Sequence, residues 1–89
     1  NRSRYSSLYL FKYAEQLRKT GDAKGSVPEY RTLLKQTPNF APAHLGLAQS
    51  LLKLDKNSKE ARAEIKQALI LEPENTDAKQ LSKQVGLQP

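Results

Sequence analysis

Residues 61–73 read ARAEIKQALILEP. Ala61, Ile65, Ala68 and Leu69 fall four, three and one residues apart, which puts them on one face of an α-helix. Pro73 lies just beyond the last of them, where a helix cannot continue. Thirty-five residues upstream the same spacing recurs as Ser26, Tyr30, Leu33, Leu34 and Pro38. The segments before these two also correspond. Tyr13, Ala14, Leu17 and Gly21 return 34 residues later as Leu47, Ala48, Leu51 and Asp55. The one-residue difference falls in the loop 55–58, and a loop absorbs an insertion at little cost. A helical period near 34 residues is the mark of a repeat architecture.

Outward from this stretch the chain reads as five helices. The first carries Leu10, Tyr13, Ala14 and Leu17 on one stripe, is capped by Ser6 or Ser7, and is stopped by Gly21. The second is expected to start at Ser26, with Glu29 completing a capping box and Pro28 in the first turn, where a missing amide costs nothing. The third begins near Pro42 and is apolar nearly all round, with His44, Leu47, Ala48 and Leu51 on its core stripe and Leu45 and Leu52 on another face. The fourth is capped at Asn57 or Ser58. The fifth, Thr76 to Val85, carries Ala78, Leu81 and Val85 and stops at Gly86. No stretch shows sustained alternation of apolar and polar residues, so no strand is expected. Gln36 to Leu52 contains no Asp, Glu, Lys or Arg. A helix without a charged face is covered on more than one side.

On these residues the chain resembles the tetratricopeptide repeat family. Leu10, Tyr13-Ala14, Leu17, Gly21, Ser26, Tyr30, Leu33 and Pro38 occupy the family's marked places in a first unit. His44, Leu47-Ala48, Leu51, Ala61, Ile65, Ala68 and Pro73 occupy them in a second. The resemblance implies an all-α solenoid of antiparallel helix pairs in a right-handed superhelix. It divides the chain into a basic extension over 1–6, one domain over 7–85 and a tail over 86–89. Within the domain, repeat one is 7–40, repeat two 41–75 and a capping helix 76–85. Four departures stand out: Leu33 where alanine is usual, Pro28 inside the usual second helix, Asp55 for a turn glycine, and His44 for an aromatic. Leu33 is expected to push the first helix pair apart.

The resemblance also implies a function: a non-catalytic protein-binding module or assembly scaffold. The first helix of each pair lines a concave groove that receives a peptide or partner helix. Place by place, that lining is Leu8, Phe11, Lys12, Glu15, Arg18 and Lys19, then Leu45, Gln49, Leu52 and Lys53, with Lys79 or Lys83 added by the capping helix. An apolar strip flanked by basic groups suits a partner with apolar and acidic character. Phe11 is the expected anchor, because desolvated aromatics carry most of such binding energy. The plain alternative is that Leu45 and Leu52 are buried by the capping helix or by self-association. The two-carboxylate clamp of one subclass of the family is absent: its places hold Phe11, Glu15, Gly46, Asp77 and Leu81, and two of those are acids.

Composition narrows the remaining choices. The chain has 89 residues, no Cys, Met or Trp, one His and a formal charge of +6. Disulfides, thiolate-bound metals and multi-histidine sites are excluded. No apolar run approaches the ~20 residues that span a bilayer, and no leader pattern is visible. The chain opens on Asn1 and reads as an excised or processed segment. A cysteine-free chain suits cytoplasm and periplasm equally.

Five of the six net charges lie within residues 1–35, on Arg2, Arg4, Lys12, Arg18, Lys19, Lys24, Arg31 and Lys35 against Glu15, Asp22 and Glu29. With Tyr5, Tyr9 and Tyr13 interleaved, this region is the basis of a second reading, a basic helical domain for nucleic acid or an anionic surface. A third is a docking or regulatory segment of a larger enzyme. No catalytic constellation, metal site or cofactor loop is found. His44 reads as a packed residue. Ser26 reads as a cap. Glu60 and Glu64, among Lys59, Arg62 and Lys66, read as a solvated face. Glu72, Glu74 and Asp77 read as negative charge at the start of the fifth helix.

Overall fold

The computed structural model describes residues 6–87. The basic residues Arg2 and Arg4, with Tyr5, lie outside the described residues. The five helices are α1 Ser7–Lys19, α2 Ala23–Gln36, α3 Ala41–Leu54, α4 Lys59–Leu71 and α5 Thr76–Gln84. The described residues contain no strand. Short loops fold each helix back onto the one before it, and α1 also touches α3. The result is an elongated stack, 41 × 24 × 19 Å.

Two apolar clusters hold it together. The first joins Leu10 and Ala14 of α1, Val27, Tyr30 and Leu33 of α2, and Ala43 and Leu47 of α3. The second joins Leu45 and Ala48 of α3, Ala61, Ile65 and Ala68 of α4, and Ala78 and Leu81 of α5. Leu51 packs against both. The third helix is therefore covered by α2 on one side and by α4 and α5 on the other. That explains its lack of charge: Ala41, Ala43 through Ala48 and Ser50 are all buried. Leu33, fully buried, is accommodated without opening the first pair, in a cluster that includes the small Ala14 and Ala43.

Ser6 caps α1, its hydroxyl accepting from the Tyr9 amide. At the other end Gly21 has φ 97°, and the Gly21 and Asp22 amides bond back to Arg18 and Leu17. This left-handed Schellman turn is what stops the helix. Ser58 rather than Asn57 caps α4. Asn75 caps α5 at the Ala78 amide, with Asp77 in the first turn.

Two expectations are corrected. The helix α2 begins at Ala23, earlier than Ser26, because Asp22 caps it by accepting from the Gly25 amide at 2.8 Å. Pro28 therefore sits inside the helix and leaves the Lys24 carbonyl without its helical donor. Ser26 caps nothing. It is fully buried, donates to the Ala23 carbonyl and pairs with Ser50 of α3 at 2.6 Å. Second, Tyr13 lies 42% exposed instead of in the core, and its ring stacks on Tyr9 at 6.2 Å. No described helix precedes α1 to cover that face.

Candidate functional site

The exposed side of α1 begins with Leu8, whose side chain is mostly in solvent. One turn on, the half-buried Phe11 meets Phe40 edge to face, with centroids 5.2 Å apart and planes at 81°. Ser7, Leu8, Phe11, Thr37 and Phe40 surround a small apolar hollow of about 280 Å³. On its other side Phe11 borders a second, open hollow of about 420 Å³ with Lys12, Glu15, Gln16, Lys19 and Thr20. One aromatic ring thus separates an apolar slot from a basic-edged shelf. Phe40 can reach it because the loop 37–40 brings the chain back beside the start of α1.

Beneath the shelf lies a polar cluster. Arg18 donates through Nη2 to Glu15 Oε1 at 2.8 Å and through Nε to Tyr30 Oη at 3.1 Å. Tyr30 Oη in turn donates to Glu15 Oε2. Lys19 Nζ stands 3.8 Å from Glu15 Oε1. Glu15 and Arg18 are therefore committed to fixing Tyr30, and Lys12 and Lys19 supply the outward positive charge. Burial would lower the Arg18 pKa, but its hydrogen bonds to Glu15 and Tyr30 outweigh this and the net shift is upward. The Tyr30 phenol is pushed up, first by burial and then by the hydrogen bond to Glu15.

A phenol ordinarily ionises near pH ~10. With its pKa raised by folding, Tyr30 keeps its proton in the native state where the unfolded chain has lost it. Its contribution to stability is complete below that value and is lost as pH rises through the folded-state pKa. Unfolding free energy measured in urea should decline above about pH 10, and Tyr30→Phe should flatten the decline. Parallel curves for the two proteins would show that Tyr30 is not the responsible group.

The expected lining residues of α3 behave differently. Leu45 is 7% exposed and packs in the second cluster with Leu81, so it offers no open surface. Leu52 is half-buried and borders a separate hollow of about 330 Å³ with Lys56, Asn57, Arg62, Gln84 and Val85. Gln49 is half-buried and Lys53 exposed. Leu45 is buried in the cluster that α3 shares with α4 and α5, and the apolar strip is interrupted there. Lys79 and Lys83 border another hollow, between α4 and α5. The structure thus brings together Leu8, Phe11, Lys12, Glu15 and Lys19, and adds Ser7, Gln16, Thr20, Thr37 and Phe40. Phe40 had a signal in the sequence: it stands alone in a short loop between Pro38 and Pro42.

One acid of α4 is also corrected. Glu60 is exposed, as a solvated face implies, but Glu64 is mostly buried. Glu60 makes a forked pair with Arg31 of α2 at 2.7 and 2.9 Å. Glu64 meets His44 Nδ1 at 2.5 Å, while His44 Nε2 faces the Pro38 carbonyl at 2.7 Å. Glu72 accepts from Asn75, and Glu74 pairs with Lys79. Among the described residues no three His, Asp or Glu converge as metal ligands would. No described helix is long and apolar enough to cross a membrane.

The family model described as tetratricopeptide repeat matches residues 17–85. No curated protein and no solved structure matched the chain. The match covers most of the chain, from the last turn of α1 through α5. The chain belongs to the tetratricopeptide repeat family, whose repeats generally mediate protein–protein interaction.

Proposed function

We propose that this chain is a non-catalytic docking module that receives a peptide or partner helix across the exposed side of α1. The ligand presents an apolar side chain to the slot between Phe11 and Phe40 and a carboxylate to Lys12 or Lys19. One observation carries the reading: Phe11 is shared by the apolar slot and the lysine-edged shelf. An aromatic at such a junction is half desolvated already, and a ligand completes the burial. Exposed Lys53 and half-buried Leu52 of α3 lie outside both hollows beside Phe11 and are left to a ligand that reaches beyond them. Arg18 and Arg31 are held by carboxylates, which leaves less free cationic surface for a phosphate backbone than the charge total suggests.

Selection from a random peptide display library tests this. Enriched sequences are expected to combine an aromatic or branched apolar residue with neighbouring acids. Phe11→Ala should weaken the selected peptide by about 30-fold, the equivalent of a ~2 kcal/mol hot spot. Lys12→Glu with Lys19→Glu, both surface changes, should weaken it by reversing the shelf's charge. Retained affinity in both variants, or enriched sequences without this character, would sink the proposal. Binding to an oligonucleotide that falls steeply with salt would favour the nucleic-acid reading instead.

A further inference from the structure

A hollow of about 620 Å³, larger than either of those beside Phe11, opens between the end of α4 and α5. Its apolar part is Leu69, Pro73 and Leu87, and its basic edge is Lys79 and Lys83, one turn apart on α5. The walls are preformed. Arg62 of α4 donates to the Val85 carbonyl at 2.5 Å and ties the end of α5 down. Gly86, with φ 77°, closes a Schellman turn in which the Leu87 amide bonds back to Ser82. That turn folds Leu87 toward the second cluster, against which it and Leu69 pack. Lys79 has a partner in Glu74. Among the described residues Lys83 has no carboxylate within ion-pairing distance.

The stack contains its own template for what fits here. The repeat register makes α5 the counterpart of α3, and α4 is the helix that rests on α3. Two features hold α4 in place. Its inner face is apolar, with Ala61, Ile65 and Ala68 buried. Its carboxylates reach cationic or donor groups on the two preceding helices, Glu60 to Arg31 and Glu64 to His44. After α5 the same arrangement is half present. Apolar surface is open beside Lys79 and Lys83 of α5, and Lys66, which is the register counterpart of Arg31, is exposed on α4.

We infer that this groove docks an acidic amphipathic helix of another protein, which packs an apolar stripe on Leu69, Pro73 and Leu87 and sets carboxylates against Lys79 and Lys83. The helix takes the place on α5 that α4 takes on α3. This is a second interaction surface, at the far end of the molecule from Phe11, so two partners can be held at once. The side of α5 bearing Asp77, Gln80 and Gln84 is polar and plays no part.

The test uses a synthetic amphipathic peptide with a leucine stripe edged by glutamates, and the same peptide with lysine at each glutamate. The glutamate peptide is expected to shift the backbone amide resonances of Leu69, Ser82, Lys83 and Leu87, and the lysine peptide to bind at least about tenfold more weakly. Lys79→Glu with Lys83→Glu, on exposed side chains, should reverse that preference while the circular dichroism spectrum is unchanged. Equal affinity for both peptides, no binding, or an unreversed preference overturns the inference. Shifts confined to Phe11, Lys12 and Lys19 would overturn it too, and would leave the proposed function intact. Concentration-dependent dimerisation that displaces the peptide would assign the groove to a second copy of the chain and overturn it as well.

Discussion

Gly46→Ala is expected to destabilise the stack, although alanine is the better helix former by ~1 kcal/mol. Gly46 lies in the middle of α3, where glycine is otherwise a liability. A Cβ built there would stand 2.4 Å from Cζ and 2.5 Å from Oη of Tyr30. The ring cannot swing aside. It is fully buried, and its hydroxyl is fixed between Glu15 and Arg18. Accommodating the methyl means separating α2 from α3 or breaking the polar cluster. Overpacking of this kind costs about 1–3 kcal/mol, and the loss of the Tyr30 hydrogen bonds adds to it. We expect a net loss of about 2 kcal/mol, which in a domain of this size lowers the melting temperature by roughly 10 °C. Thermal unfolding followed by circular dichroism measures it. Tyr30→Leu in the same chain should be less harmful than the two single effects combined, since removing the ring removes the clash. An unchanged melting temperature for Gly46→Ala would contradict the packing of α2 on α3.

That contact shows where sequence reading stopped. The register was legible because Tyr30 and Ile65 mark the same place 35 residues apart. The covering of α3 was legible because Gln36 to Leu52 carries no charge. The reason for Gly46 was not, since a close approach between two helices leaves no periodic trace. Pro28 obscures the boundary of α2: proline favours a first turn, but Asp22 offers a better cap four residues before the serine. Tyr13 fell on the apolar stripe, and whether a stripe is covered depends on neighbours that sequence does not supply. The family register makes Leu45 groove lining, with burial as the alternative, and its place in the cluster shared with α4 and α5 decides for burial. Glu60 and Glu64 were read by their neighbours in sequence, whereas their partners lie 29 and 20 residues away. Long-range polar pairs are the part of a site that periodicity cannot reveal.

His44 offers the sharper contrast between the two kinds of reading. The family places an aromatic there, so His44→Phe looks harmless from sequence alone. The structure predicts a large loss. The ring bridges three segments: α3, which carries it, the carbonyl of Pro38 in the loop before α3, and Glu64 of α4. A carbonyl can only accept, so Nε2–H donates to Pro38, and one proton lies between Nδ1 and the Glu64 carboxylate. Phenylalanine fills the volume but strands both acceptors. A mostly buried carboxylate left without its partner, with a stranded carbonyl beside it, costs about 2–4 kcal/mol. Combining His44→Phe with Glu64→Leu should recover much of the loss, because two apolar groups of matching shape need no partners. Urea unfolding of the two single variants and the double variant gives the coupling directly. If His44→Phe is as stable as the parent, the Glu64 pair contributes nothing. The same variant also bears on function. Pro38 and Phe40 belong to one short loop, and His44 anchors it from below. Loosening that anchor frees the Phe40 wall of the slot beside Phe11. Peptide affinity should therefore fall in His44→Phe even below its unfolding range, and the double variant should regain stability without regaining affinity.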